Sequence, residues 1–104
     1  MENMESLLSV SDLTVDCNSH MVMRNREAVF LTAKEYAVLE YLIRNAGEIL
    51  SKEQIGETVW QQDYEGDTNI VAVYINYLRE KIDSGHEKKL IHTVRGSGYV
   101  LREE

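Results

Sequence analysis

The stretch DTNIVAVYINYLREKI, residues 67–82, decides the fold of this 104-residue chain. Its apolar residues recur at spacings of four, three and four, which predicts a helix with one buried stripe: Val71, Ile75, Leu78 and Ile82. The opposite side carries amides, a valine, a phenol and a single charge: Asn69, Val73, Asn76, Tyr77 and Glu80. Amides offer paired donors and acceptors and valine offers an apolar surface, and such groups read base edges in a DNA major groove. A helix buried on two sides is the alternative interpretation.

Composition limits the kind of protein that this chain can be. It is 43% hydrophobic and 28% charged, which is typical of one globular domain. It lacks an apolar run of roughly 18 residues, so no membrane span is expected, and its acidic N-terminus is unlike a signal peptide. Cys17 is the only cysteine, which excludes an internal disulfide and fits a reducing cytoplasm. The sequence shows no metal-ligand spacing, phosphate loop or nucleophile–base pairing, so we expect no metal, no cofactor and no enzyme.

The distribution of charge is more informative than its sum. The net charge of −7 argues against nucleic-acid binding. Residues 69–102, however, carry six basic and three acidic residues, so the C-terminal third is positive around the predicted helix. We therefore expect a positive surface in this region and acidic surfaces elsewhere.

The N-terminal part of the chain is typical of a small antiparallel sheet. Four short β-compatible runs are separated by residues with turn chemistry. The predicted strands are Leu7–Val10, Leu13–Asp16, Met21–Arg24 and Ala28–Leu31.

Two helices are predicted in the middle of the chain. Two capping boxes, each a hydroxyl residue followed three positions later by an acid or amide, mark their starts: Thr32 with Glu35, and Ser51 with Gln54. The first helix is expected over 32–46, with Gly47 as its C-cap. The second is expected over 52–60, and residues 48–50 before it form a single strand or an extended link.

A polar, acidic connector over 61–66 leads to the opening helix. Asp67 or Thr68 is expected to cap that helix at its N-terminus. The turn cluster at 83–85 marks its end.

The last part of the chain predicts a hairpin. Leu90–Val94 and Gly98–Leu101 are strand-like runs, and the glycines between them permit a tight tip. Arg95 lies beside this tip, flanked by glycine. An arginine at such a tip can simply be solvated. Beside a helix that reads DNA bases, however, it can reach a minor groove or a phosphate.

Three helices followed by a hairpin with an arginine tip have the order of a winged helix-turn-helix. Four stretches also match one family: LTAKEYAVLEYL, GEILSKEQIGETVW, TNIVAVYINYLREKID and IHTVRGSGYVL. From about Leu8 to Arg102 the chain resembles the C-terminal DNA-binding domain of two-component response regulators of the OmpR/PhoB class. The resemblance implies an α+β fold with an N-terminal four-stranded antiparallel sheet, a three-helix bundle and a C-terminal β-hairpin wing. We expect linker residues over 1–7 and a single winged-helix DNA-binding domain over 8–104.

The resemblance also implies roles for individual residues. The helix over 68–82 would enter the major groove, and the wing over 90–101 would meet the minor groove or the backbone. The positions that match base-facing residues are Asn69, Val73, Asn76 and Tyr77. The positions that match backbone or wing contacts are Lys52, Trp60, Tyr74, Arg79, Thr93 and Arg95. The connector positions that match a loop meeting RNA polymerase are Gln61, Gln62, Asp63, Tyr64 and Glu65.

Partners and regulation follow from the same resemblance. Such bacterial regulators are cytoplasmic, with no membrane partner, and bind directly repeated operators in double-stranded DNA as head-to-tail tandem homodimers. A sensor kinase phosphorylates their N-terminal receiver domain, and this chain is expected to be the effector part without its receiver. Many members carry arginine at the positions of Asn76 and Tyr77, so the base-reading code of this sequence is expected to differ.

A second hypothesis is a winged helix that has become a protein-interaction module with little DNA binding. The acidic balance favours it, whereas Arg79 and Arg95 at contact positions oppose it. It predicts a neutral or acidic surface around Asn76 and the wing.

Overall fold

The N-terminal residues form an antiparallel sheet in a computed structural model, which describes residues 6–66 and 68–104. Four strands pair in chain order: β1 (Leu7–Val10), β2 (Leu13–Asp16), β3 (Met21–Arg24) and β4 (Glu27–Val29). Leu7 pairs with Asp16, so the last residue of the predicted linker belongs to the sheet. Residues 1–5 of that linker lie outside the described residues.

Strand β4 begins one residue earlier than predicted and ends at Val29 instead of Leu31. Arg24 of β3 pairs with Glu27, which leaves two residues in the turn. Those two residues, Asn25 and Arg26, have φ angles of 53° and 68°. Two central residues with positive φ make the tight hairpin turn that matches strand twist, so the turn is shorter than the sequence suggested.

The first two helices are α1 (Ala33–Arg44) and α2 (Lys52–Trp60), and both predicted capping boxes are present. Helix α1 ends two residues earlier than predicted, with Asn45 as its C-cap in place of Gly47. Gly47 instead has a φ of 87° and donates its N–H to the carbonyl of Leu101 at 2.9 Å. Its conformation therefore joins α1 to the C-terminal hairpin.

The opening stretch forms α3 (Ile70–Leu78), followed by one π-helical turn over Arg79–Asp83. The predicted helix over 68–82 was therefore too long as a regular α-helix. Asn69 is the N-cap, and the Thr68 hydroxyl accepts a 3.4 Å bond from the N–H of Ile70. Asp67, the other predicted cap, lies outside the described residues.

The apolar stripe of α3 lies in the core, as predicted. Its members are at most 2% exposed: Val71, Ile75, Leu78 and Ile82. Helix α3 packs against α1 and α2, so the three helices share one core with the inner face of the sheet. The buried stripe fixes which side of α3 faces solvent.

The C-terminal hairpin consists of β5 (Ile91–Val94) and β6 (Gly98–Leu101). Leu50 forms a bridge to Tyr99 of β6 through two backbone bonds of 2.8 and 2.9 Å, so residues 48–50 end in a short β contact. Gly98 has a φ of 145°, and a Cβ there would lie 2.0 Å from the Leu50 carbonyl oxygen. Only glycine allows this close approach of the hairpin to the helices.

A buried arginine joins the sheet to the end of α3. Arg24 is 2% exposed and donates to Asp12 at 2.6 Å, to the Ile82 carbonyl at 2.7 Å and to Asp83 at 3.2 Å. It also donates to the carbonyl of Lys88 at 2.7 Å. This network was not predicted from the sequence, although an arginine at an inward position of an alternating strand is a signal for it.

The other half of this network is Asp83, which is 4% exposed. Its two carboxylate oxygens accept the backbone N–H groups of Leu90 and Ile91 at 3.0 and 3.1 Å. These acceptor bonds and the Arg24 bonds hold the chain at 82–83, where the last turn is π-helical and so wider than an α-helix. The Arg79 carbonyl correspondingly accepts from the Ser84 N–H at 2.9 Å.

A second ion pair joins α1 to the π-helical turn. Lys81 donates to the buried Glu35 carboxylate at 2.7 Å, and the same oxygen accepts the N–H of Thr32 at 2.9 Å. Burial acts to raise the pKa of Glu35, but the bonds from Lys81 and Thr32 and the Lys81 charge outweigh it. The pKa of this carboxyl is therefore lowered from its ordinary value of 4.5.

The Glu35 pair makes stability dependent on acid. Because the folded-state pKa lies below the unfolded value, the pair contributes stability above about pH 4.5 that is lost as the pH falls through the folded pKa. Glu35→Gln keeps the capping box, as Gln54 does in α2, but removes the charge. We expect urea midpoints of this variant to fall less between pH 7 and acid than those of the unchanged chain. Lys81→Gln should remove part of the same dependence, and parallel acid curves for all three proteins would contradict the prediction.

Candidate nucleic-acid interface

The outer face of α3 exposes all four residues predicted to face bases. Asn69 and Asn76 are exposed, and Val73 and Tyr77 are 36% and 43% exposed. The alternative of a helix buried on two sides is therefore wrong. Asn69 is the N-cap, yet its side chain makes no capping bond, so its amide stays available to a partner.

A row of aromatic rings supports this face from one side. The Trp60 and Tyr74 rings meet edge to face with centroids 5.1 Å apart, and Tyr74 meets Tyr77 in the same way at 5.3 Å. Trp60 and Tyr74 are half-buried and pack against the core. Lys34 lies over Trp60 at 5.9 Å and donates to the Val59 carbonyl at 3.1 Å. Lys34 was not predicted as a site residue, yet α1 places this cation beside the predicted backbone-contact residue Trp60.

Arg79 connects the end of α3 to the hairpin. Its Nε donates to the carbonyl of Ile91 at 3.3 Å, and its Nη2 donates to the Thr93 hydroxyl at 2.5 Å. The guanidinium also lies 6.0 Å from the ring centroid of Tyr99. Two residues predicted as separate DNA contacts, Arg79 and Thr93, are thus brought together, and they join α3 and the hairpin into one surface.

The hairpin tip presents Arg95 to solvent. The turn is closed by the bond from the Ser97 N–H to the Val94 carbonyl at 2.9 Å, and Gly96 has a φ of 78°. Lys52, at the start of α2, is exposed and lines a cleft with Thr93 and the tip. Two cations therefore lie along the hairpin side of the surface.

The connector after α2 begins with one 3₁₀ turn over Gln61–Asp63. Its exposed members are Gln61, Gln62, Asp63 and Glu65. Tyr64 differs from them because a Cβ on Gly56 would lie 2.2 Å from its ring, so the ring packs tightly on α2. Burial raises the pKa of the Tyr64 hydroxyl, and Glu53 and Glu57 raise it further. Tyr64 therefore anchors the connector to α2.

The candidate nucleic-acid surface is formed by α3, the hairpin and the start of α2.

Every helix within residues 6–66 and 68–104 is too short or too polar to span a bilayer.

Comparisons with known proteins agree with this architecture. Residues 25–101 match the family of the C-terminal domain of transcriptional regulatory proteins. The chain is 50% identical over 95 residues to the probable transcriptional regulatory protein TcrX of Mycobacterium tuberculosis, covering 91% of this chain and 40% of TcrX. It is 45% identical over 101 residues to the transcriptional regulatory protein PcoR of Escherichia coli, covering 95% and 45%. The chain thus spans less than half the length of these two relatives.

A solved structure shares the fold. The RstA DNA-binding domain of Klebsiella pneumoniae, determined in complex with the RstA box, matches with a TM-score of 0.82 and 29% identity, covering 92% of this chain and 96% of that one. The shared α+β fold confirms the predicted winged helix-turn-helix. The C-terminal hairpin, residues 91–101, is therefore the wing. These relatives do not favour the protein-interaction module. The chain belongs to the OmpR/PhoB-type family of C-terminal DNA-binding domains, the output domains through which transcriptional regulators bind DNA.

Proposed function

We propose that this domain binds specific promoter sites by inserting α3 into the major groove of double-stranded DNA. The observation that carries the proposal is the exposed α3 face, whose amides and apolar groups stand opposite a fully buried stripe. A major groove admits one α-helix and presents a distinct donor and acceptor pattern for each base pair. The base contacts are assigned to Asn69, Val73, Asn76 and Tyr77.

The wing and its neighbours contact the backbone or the minor groove in this proposal. Arg95 at the exposed tip and Lys52 beside the wing supply positive charge there. Arg79 is held by Thr93, and its remaining N–H groups can meet a phosphate. Trp60 and Tyr74 lie at the edge of the same surface. Within residues 69–102, Arg79 and Arg95 supply the positive charge that such contacts need. Lys81 and Lys88 of the same segment pair with Glu35 and Glu103 instead.

We further propose that the intact protein is a phosphorelay response regulator. A receiver domain, phosphorylated by a sensor kinase, would bring two copies together on directly repeated operator halves. Linking two modules raises apparent affinity without new contacts, which suits a domain with a net charge of −7. The exposed acidic connector, with Asp63 and Glu65, has the charge to meet a basic surface of RNA polymerase.

Selection of bound sequences from a random duplex pool at low salt tests the proposal. The expected result is enrichment of a directly repeated motif, followed by clearly tighter binding of that motif than of scrambled DNA at two salt concentrations. A folded sample that enriches nothing would contradict sequence-specific binding by this domain. Enrichment of a single unrepeated site would keep DNA reading but reject the tandem arrangement.

Arg95→Ala is expected to weaken binding to both selected and scrambled DNA. If Arg95 neutralises one phosphate, the slope of log affinity against log salt should become shallower by about one unit. Arg44→Ala removes the same charge from α1, where Arg44 pairs with Glu40 at 2.9 Å, and serves as the matched control with an unchanged slope. Equal slopes for all three proteins would remove the wing from the mechanism.

A further inference from the structure

The two amides on the outer face of α3 have no hydrogen-bond partner within residues 6–66 and 68–104. Asn69 is an N-cap residue, and asparagine at this position normally accepts a bond from the first turn, but its side chain makes none. Asn76 is exposed one turn beyond Val73. Each amide can therefore present one donor and one acceptor together to an incoming base edge.

The cations of α3 and its terminal turn are both engaged elsewhere. Arg79 donates from its Nε and Nη2 to the Ile91 carbonyl and the Thr93 hydroxyl, which hold its guanidinium against the wing. Lys81 lies 2.7 Å from the Glu35 carboxylate of α1. Bidentate contact with guanine O6 and N7 requires an arginine or lysine directed at the base. The outer face of α3 has no such group.

The other two exposed residues of this face within α3 are Val73 and Tyr77, which present an isopropyl group and a phenol ring. Val73 and Tyr77 are one turn apart, so they lie side by side along the helix. Tyr74 contacts the Tyr77 ring edge to face, and Trp60 supports Tyr74 in turn. This support fixes an apolar strip next to the two amides, and apolar groups in the major groove contact the thymine methyl.

We propose that α3 reads A·T base pairs, with Asn69 and Asn76 each gripping an adenine and Val73 and Tyr77 covering thymine methyl groups. This inference rests on the proposed DNA binding and specifies its target. In each pair the Asn amide N–H₂ donates to adenine N7, and its carbonyl oxygen accepts from the adenine N6 amino group. The two asparagines are about 10 Å apart along the helix, and base-pair steps are about 3.4 Å. The two adenines are therefore roughly three steps apart.

The wing favours the same base composition. Arg95 is an exposed cation at a narrow tip. A-tracts have a narrow minor groove with enhanced negative potential, which attracts an inserted arginine. The major-groove code and the wing preference together predict an A·T-rich half-site with an A·T-rich flank.

The base identities in the selected motif give the first test. Positions that α3 protects should be A·T pairs, with two adenines per half-site roughly three steps apart. A selected motif with G·C pairs at these positions would overturn the adenine code while leaving DNA binding intact. Absence of any motif would instead contradict the proposed function itself, so the two failures are distinguishable.

Base analogues in the selected duplex give the sharper test. Replacing the adenine assigned to Asn76 with 7-deazaadenine removes the N7 acceptor, and the affinity of the unchanged chain should fall roughly 5- to 150-fold. Asn76→Ala should show a similar loss on natural DNA, the same affinity for random DNA, and no further loss on the analogue. Equal losses on selected and random DNA would show that Asn76 reads no base.

Two further variants check the assignment. Asn76→Arg is expected to shift the preferred base at one position toward guanine, because arginine grips guanine O6 and N7. Asn18→Ala replaces an exposed asparagine in the turn after β2 and should leave the motif and the affinity unchanged. If the Asn76→Arg variant still preferred adenine at this position, the proposed base contact of Asn76 would be overturned.

Discussion

Asp83→Ala is expected to lower the free energy of unfolding by about 3–5 kcal/mol. The substitution leaves Arg24 as a charge that is 2% exposed and has lost its buried anionic partner. It also removes the acceptors of the Leu90 and Ile91 N–H groups, which lie inside the fold. Urea unfolding at neutral pH, followed by far-UV circular dichroism, measures the loss.

Two control variants test whether the loss comes from the buried position of Asp83 and from the charge left on Arg24. Asp12 also binds Arg24, but its side chain is 40% exposed, so Asp12→Ala should cost much less. Replacing both buried partners with apolar residues, Arg24→Met with Asp83→Leu, should recover only part of the Asp83→Ala loss. No buried charge is left unpaired, but the Leu90 and Ile91 N–H groups still lack their acceptor. A loss below about 1 kcal/mol for Asp83→Ala would show that the pair does not hold the fold together.

Leu78→Ala is expected to cost about 2–5 kcal/mol. Leu78 is fully buried at the point where α3 faces the core. Truncating its isobutyl side chain to a methyl group loses transfer free energy and leaves a cavity that the surrounding core closes only in part. The same urea experiment applies, and a loss of this size would also be expected to lower DNA binding at elevated temperature.

Val73→Ala provides the matched control on the opposite face. Val73 is 36% exposed, and alanine is the better helix former. The free energy of unfolding should therefore change by no more than about 0.5 kcal/mol. If the Val73 variant were the less stable of the two, the assigned faces of α3 would be reversed.

Local patterns in the sequence were sufficient to predict most of the helices and strands. Both capping boxes place side chains within three residues of their partners, so they could be recognised without tertiary information. The buried stripe of α3 follows from helical periodicity alone. The strand turn at Asn25 and Arg26 was predicted one residue too long because arginine, unlike asparagine, seldom adopts positive φ.

Contacts between distant residues could not be predicted in the same way. Arg24 and Asp83 are 59 residues apart in the chain, and only the packing of the sheet beside the end of α3 brings them together. The same limit applies to Arg79, whose engagement with Thr93 depends on the position of the wing. The exposure of Asn69, Val73, Asn76 and Tyr77 was predictable because it follows from the stripe on the other side of the helix.

The buried guanidinium of Arg24 couples unfolding of the sheet to unfolding of the segment after α3. Its bonds run from the sheet to the carbonyls of Ile82 and Lys88, on either side of the segment between α3 and the wing. The sheet cannot separate from this segment without exposing the charge and freeing both carbonyls. The N-terminal sheet and the root of the DNA-reading elements therefore form one cooperative folding unit, and their slowest amide protons are expected to exchange through the same global opening.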